Sequence, residues 1–133
     1  MNELDTRSLS RLNGVHPDLV AVVKLVAQDA SFIVTEGLRT YERQRELFLA
    51  KKSQTMNSRH LTGHAVDLAI WEDRDADKVV DANELSWKFQ HYQELADKMK
   101  QAAESLGIEI KWGGDWTTFK DGPHFELDKK IYP

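Results

Sequence analysis

One stretch constrains this chain more than any other: Ser58-Arg59-His60-Leu61-Thr62-Gly63-His64-Ala65-Val66-Asp67. Two histidines and a carboxylate fall between positions 60 and 67. Gly63 interrupts any regular helix, since glycine is poorly tolerated in a helix interior. Beyond it, Ala65 to Trp71 reads as a buried strand that carries Asp67. A second cluster, Asp121-Gly122-Pro123-His124, lies near the C-terminus. The two clusters are predicted to meet around one metal ion, with the rest of the chain as scaffold and substrate-positioning surface.

Composition narrows the chemistry. The chain has 133 residues and no cysteine. That length suits one domain, predicted over 1–133 with its core at about 16–128 and with no separate second domain. Without cysteine there are no disulfides, thiol nucleophiles or thiolate metal sites, so a transition metal must be held by His, Asp and Glu. The formal charge of −4 gives no basic footprint, which disfavours nucleic acid and anionic surfaces as partners. The acidic start Met1-Asn2-Glu3-Leu4-Asp5 lacks the basic and apolar regions of a secretory signal. No run is long and apolar enough for stable membrane insertion. A monomer is expected.

Helices and strands alternate along the chain. Residues 1–15 read as a loosely ordered entry with a turn at Asn13-Gly14. Pro17 suits a first helical position, and Leu19, Val22, Val23, Val26, Ala27 and Ala30 form an amphipathic stripe. Ser31 to Thr35 reads as a strand, and Tyr41 to about Lys51 as a charged helix that buries Leu47 and Phe48. Asp81 followed by Glu84 resembles a helix-start pair. The helix that follows carries the stripe Tyr92, Leu95, Ala96, Met99, Ala102, Ala103 and Leu106, and Gly107 sits at its C-cap. Ile108 to Trp112 and His124 to Leu127 are short strands, with a turn at Gly113-Gly114-Asp115-Trp116. The predicted class is α+β, with packed helices on a short, mainly antiparallel sheet.

Hydrolytic zinc sites use three protein ligands and keep one position for water. His60 and Asp67 are separated by Gly63, so a turn can aim both at one point, and His124 would join them from a neighbouring strand. His64 is a rival to His60, since His-x-x-x-His is a helical zinc spacing, but Gly63 inside it makes His64 the flanking residue. Asp121 precedes His124 by a tight Gly-Pro bend, which places a second carboxylate nearby as general base and then acid. Arg39 is a candidate cation for an oxyanion, or equally an ordinary salt-bridge partner. Trp112 and Trp116 read as core or cleft wall and stand as candidate substrate contacts.

These residues carry a resemblance. Ser58 to Asp67 resembles the S-x-H-x-x-G-x-A-x-D motif of the VanY/VanX-type zinc peptidases, and Asp121 to His124 resembles their second motif. Gly37-Leu38-Arg39-Thr40 is similar to their G-x-R-[ST] segment. Trp112 to Leu127 is similar to the subgroup of L-alanyl-D-glutamate endopeptidases that includes many bacteriophage endolysins. The resemblance spans about His16 to Leu127. It implies the small α+β domain shared by Hedgehog proteins and D-Ala-D-Ala peptidases, and one zinc ion on His60, Asp67 and His124. It implies Asp121 as the acid/base where many relatives have Glu, Arg39 at the oxyanion, and Ser58 near the site, bonding substrate or holding a ligand. The implied substrate is the peptidoglycan stem peptide, cut at the L-Ala–D-Glu bond to cause cell-wall lysis. Such a protein would be made in the host bacterial cytoplasm and act on the wall after release.

Two other enzymatic and binding readings stand beside it: a D,D- or L,D-carboxypeptidase trimming stem peptides, and a non-catalytic, metal-stabilised wall-binding module. A separate feature is the acidic segment 73–84. Asp73, Asp75, Asp77, Asp81 and Glu84 match an EF-hand-like Ca2+ loop, but Lys78 replaces the turn glycine. A solvated acidic loop is the plainer reading.

Overall fold

A computed structural model describes residues 4–52, 58–72, 84–117 and 120–133. The fold is α+β, as the alternation predicts. Five strands form one sheet: β1 (Phe32–Glu36), β2 (Ala65–Trp71), β3 (Leu85–Ser86), β4 (Ile110–Trp112) and β5 (His124–Leu127). The order is β1-β2-β5-β4, with β3 paired to the far end of β2, and every pairing is antiparallel. Among the described residues four α-helices accompany it: α1 (Thr6–Arg11), α2 (Pro17–Ala27), α3 (Tyr41–Leu49) and α4 (Phe89–Leu106).

Alternation along the strands separates two faces. Val34, Val66, Leu68, Phe125 and Leu127 point to one face and are fully buried. Leu19, Val22, Val23 and Val26 of α2 and Tyr92, Leu95, Ala96 and Met99 of α4 belong to the same apolar cluster. Asp67 and His124 are a direct cross-strand pair, so both project from the opposite face. Ala65 and Glu126 pair in the same register, which adds Glu126 to that face.

A bulge in β1 recruits one more group. Val34 pairs with Leu68, but Glu36 pairs with Asp67, so two residues on β1 span one on β2. Regular alternation from Phe32 and Val34 would turn Glu36 toward the core. The inserted residue, Thr35, moves Glu36 to the polar face instead.

Three sequence expectations need correction. Residues 6–11 form α1 rather than a loose entry: Asp5 caps it by accepting from Ser8 N at 2.9 Å. This helix covers the open edge of β1 through polar groups. Val34 N donates to Ser8 Oγ at 2.8 Å, and Arg11 Nη1 donates to Val34 O at 2.9 Å. Helix α3 buries Gln44, while Phe48 is 41% exposed and Leu47 only half-buried. The reason is a polar contact with Arg39, described below. Helix α4 starts at Phe89, after β3, and no side chain caps it, so Glu84 does not open it, and Asp81 lies outside the described residues. Glu84 is buried, and its carbonyl oxygen accepts from Glu72 N at 2.8 Å.

Candidate metal centre

The site begins with a 3-10 turn, Arg59–Thr62. Ser58 Oγ accepts from His60 N at 3.2 Å and caps it. Gly63 ends it at φ +75°, a left-handed conformation that favours glycine. A Cβ there would also meet Gly14 O at 2.2 Å. The chain then enters β2, and Asp67 arrives beneath His60.

The Gly37–Thr40 segment clamps His60. Its Nδ1 donates to Gly37 O at 2.8 Å, and its carbonyl accepts from Arg39 N at 2.9 Å. The first bond fixes the tautomer and leaves Nε2 as the free donor atom. Nε2 lies 3.2 Å from Asp67 Oδ1. His124 approaches the same oxygen from β5, with Nδ1 at 3.0 Å. Its other nitrogen, Nε2, donates to Glu126 Oε1 at 2.8 Å. His60, Asp67 and His124 thus offer ligand atoms that all lie within 4.8 Å of one another. Both histidines are buried and Asp67 is partly so.

The donor set suits a transition-metal ion: two imidazole nitrogens and one carboxylate, each aimed at a common point and each imidazole anchored on its far side. The electrostatics agree. Burial favours a neutral Asp67, but hydrogen bonds from His124 and His60 outweigh it and hold the carboxyl well below its usual range. Burial likewise opposes charge on His124, yet the bonds to Asp67 and Glu126 push it up to about 9. A proton on His124 Nδ1 occupies the direction a metal would take, and metal binding would release it.

Asp121 sits beside this cluster. His124 N donates to Asp121 O at 3.2 Å, closing the Gly122-Pro123 bend. Trp112 Nε1 donates to Gly122 O at 2.7 Å and pins the same bend. A Cβ at Gly113 would lie 2.4 Å from Asp121 O, so glycine is what lets the turn at 113–115 approach. Burial raises the Asp121 carboxyl above its ordinary value, and the negative Asp67 adds to the rise. Coulombic contributions from His124, His60 and Arg39 only partly oppose it. A carboxyl tuned upward in this way is suited to carry a proton.

The other sequence candidates divide. Arg39 is buried next to the cluster, with Nη2 3.8 Å from Asp67 Oδ2. Its fork is engaged elsewhere: Nε and Nη2 donate to the two Glu36 oxygens at 2.7 and 2.6 Å, and Nη1 donates to Gln44 at 2.7 Å. Trp116 borders the site, its ring 5.1 Å from that of His124. Trp112 belongs to the core instead, stacked on Phe89. His64 points away from Asp67; it bonds Thr62 Oγ1 at 2.6 Å and lies near His16. Ser58 serves the turn that carries His60. In the acidic segment, 73–83 fall outside the described residues, so the Ca2+ loop has no structural support, and Glu84 is buried.

Sequence reading missed three groups at this site: Glu36, Gln44 and Glu126. Glu126 was accessible, being two residues after His124 on one strand and therefore on its face. Glu36 depends on the bulge, which no local pattern announces.

An antiparallel sheet with a His/Asp/His cluster on one face and a raised carboxyl beside it defines the class: an α+β domain with a candidate metal centre. The chain belongs to the phage L-alanyl-D-glutamate peptidase family, whose sequence model matches residues 1–132. It is 30% identical over 132 residues to an L-alanyl-D-glutamate peptidase of Listeria phage A118, covering 96% of this chain and 43% of that one. The chain spans about half the length of the first curated relatives it matches. The crystal structure of Serratia marcescens L-Ala D-Glu endopeptidase ChiX superposes with a TM-score of 0.84 at 44% identity, covering 99% of this chain and 95% of that one. The vancomycin-resistance D,D-dipeptidase VanXYg shares the fold at 18% identity and a TM-score of 0.52, over 85% of this chain and 50% of that one.

Proposed function

We propose that this chain is a zinc-dependent peptidoglycan endopeptidase that cuts the L-Ala–D-Glu bond of the stem peptide and so lyses bacterial walls. The observation that carries this reading is the convergence of His60, Asp67 and His124 beside the raised Asp121 carboxyl. Family membership and the likeness to ChiX support the choice of bond. His60 Nε2, Asp67 and His124 Nδ1 would hold the metal. Zinc, when bound, acts as a Lewis acid on the scissile carbonyl and lowers the pKa of water to about 7.

The chain's own groups do the rest. Asp121, as carboxylate, takes a proton from the attacking water and then delivers it to the D-Glu nitrogen as the amide C–N bond breaks. Arg39 places a fixed positive charge beside the cluster, where negative charge develops on the carbonyl oxygen. Glu36 and Gln44 hold its guanidinium in one orientation. Trp116 forms one wall of the approach to His124.

Digestion of purified sacculi tests the reading. New D-Glu amino termini that vanish with chelator and return with zinc are the expected result. Released D-Ala with no new D-Glu termini would make the enzyme a carboxypeptidase, and binding without any product would make it a wall-binding module. During synthesis the protein resides in the host cytoplasm and reaches its substrate only after release. Among the described residues no helix is long and apolar enough to cross a membrane.

A further inference from the structure

Behind the metal cluster stands a second, charged layer that the proposed chemistry leaves unused. Glu126 is two residues beyond His124 on β5, on the same face, and its side chain is 18% exposed. One carboxylate oxygen, Oε1, accepts from His124 Nε2 at 2.8 Å. The other, Oε2, faces Arg59 Nε at 4.0 Å. Arg59 is the residue before His60 and is itself mostly buried, at 13%. Its Nη2 donates to Leu127 O at 3.5 Å and also to Tyr132 O. Tyr132 in turn donates its hydroxyl to Asp18 Oδ2 at 2.7 Å, which ties the C-terminal segment to α2.

We infer that Glu126, backed by Arg59, is the positioning residue for His124: it fixes which imidazole nitrogen is offered to the metal. The inference rests on the reading of the cluster as a metal centre. An imidazole can present either nitrogen, and its ring can rotate about the Cβ–Cγ bond. A carboxylate on Nε2–H removes both freedoms, holding a proton on Nε2 so that Nδ1 is the nitrogen turned to Asp67 and left for the metal. It also raises the basicity of the ligating nitrogen. His60 is held by a neutral backbone carbonyl, Gly37 O, at the equivalent place. The two histidines are therefore anchored unequally, and His124 has the anionic anchor.

Arg59 explains why Glu126 stays in place. Placed between His124 and Arg59, the carboxylate is hydrogen-bonded at Oε1 and faces the guanidinium across 4.0 Å at Oε2, so it is flanked by charged partners from β5 and from the turn that carries His60. One short segment, Arg59-His60, thus contributes a ligand and the support for the anchor of another ligand.

The test is metal affinity, measured by competition with a chromogenic chelator for zinc, alongside circular dichroism of the metal-free proteins. Wild type and four variants are compared: Glu126→Ala, Glu126→Gln, Arg59→Ala and His124→Ala. Glu126→Ala is expected to weaken zinc binding by about 10- to 100-fold, the range seen for such outer partners. Glu126→Gln keeps an oxygen that can accept from Nε2–H, so it recovers most of that loss. Arg59→Ala falls between them. Cobalt substitution adds a spectroscopic readout, because a reoriented His124 changes the visible ligand-field bands.

Zinc affinity of Glu126→Ala within twofold of wild type would overturn the inference. So would equal losses in the Ala and Gln variants. If Glu126→Ala fails to fold, Arg59→Ala and Glu126→Gln decide together: weaker zinc binding in Arg59→Ala with near-wild-type binding in Glu126→Gln supports the role, and any other pairing overturns it. Failure of the metal reading itself looks different, since wild type and His124→Ala would then bind zinc equally poorly.

Discussion

The two faces of the sheet are made from the same strands and obey opposite rules. On one face Val66, Leu68, Phe125 and Leu127 are sealed beneath α2 and α4. On the other, Asp67, His124, Glu126 and Glu36 form a charged layer in which each polar group has a specific partner. Apolar burial is non-directional and tolerates changes of shape at a cost that grows with the cavity left. A buried charged layer is directional, so its members are worth little apart and a great deal together. Strand alternation lets both coexist within a single step along the chain, as Val66 and Asp67 show.

The comparison can be broken at either face. The largest expected effect is on the polar side. Asp121→Asn removes the proposed proton carrier and should lower sacculus hydrolysis by about 1,000-fold. Zinc content, measured by mass spectrometry of the metal, should stay at wild-type stoichiometry, because Asp121 is not assigned as a ligand. An Asp121→Asn protein that lyses walls at the wild-type rate would remove Asp121 from the chemistry.

On the apolar side, Phe125→Ala should reverse the pattern. It leaves a cavity under α2 and α4 and should cost roughly 3–5 kcal/mol of stability in denaturant titration. The flanking His124 still faces Asp67, so zinc binding below the unfolding transition should persist. Loss of zinc affinity without loss of stability would show that the faces are not separable.

The pH response sharpens the same contrast. In the metal-free protein His124 is raised to about 9 by Asp67 and Glu126. Its contribution is full below pH about 6.5 and is lost as pH rises through 9, on the order of 3 kcal/mol. Asp67 works in the other direction: its lowered carboxyl contributes above pH about 4 and loses that contribution on further acidification. Thermal unfolding of metal-free protein should therefore show a falling midpoint between pH 6.5 and 9. Zinc replaces the Nδ1 proton, so the loaded protein should not show this fall.

The smallest expected effect is Ser58→Ala. It removes the cap on the turn carrying His60 and should cost about 1 kcal/mol in stability. Hydrolysis should drop only a few-fold, since the Gly37 and Arg39 backbone contacts still hold His60. A large rise in KM alone would instead place Ser58 in contact with substrate.

Much of the fold was legible because its signals are local. The stripe from Leu19 to Ala27 and that from Tyr92 to Ala103 are buried where periodicity places them. Gly107 is left-handed at the C-cap, as expected. What escaped was held by polar contacts between distant segments. Helix α1 has no apolar stripe; it stays because Ser8 and Arg11 satisfy the open edge of β1. Helix α3 shows the same: Gln44 is its buried residue because Arg39 is its partner.

The sequence by itself determined the strand that carries Asp67, the glycine turn before it, the donors available in a chain without cysteine, and the resemblance that paired the two motifs. The tertiary structure decided how those donors are held. Cross-strand register brought His124 opposite Asp67, a bulge turned Glu36 to the same face, and the fold placed Arg59 behind Glu126. The reason is physical. A residue's type and its neighbours in sequence fix what it can donate or accept, but direction and distance between remote groups are set only when the strands pair and the helices close over them.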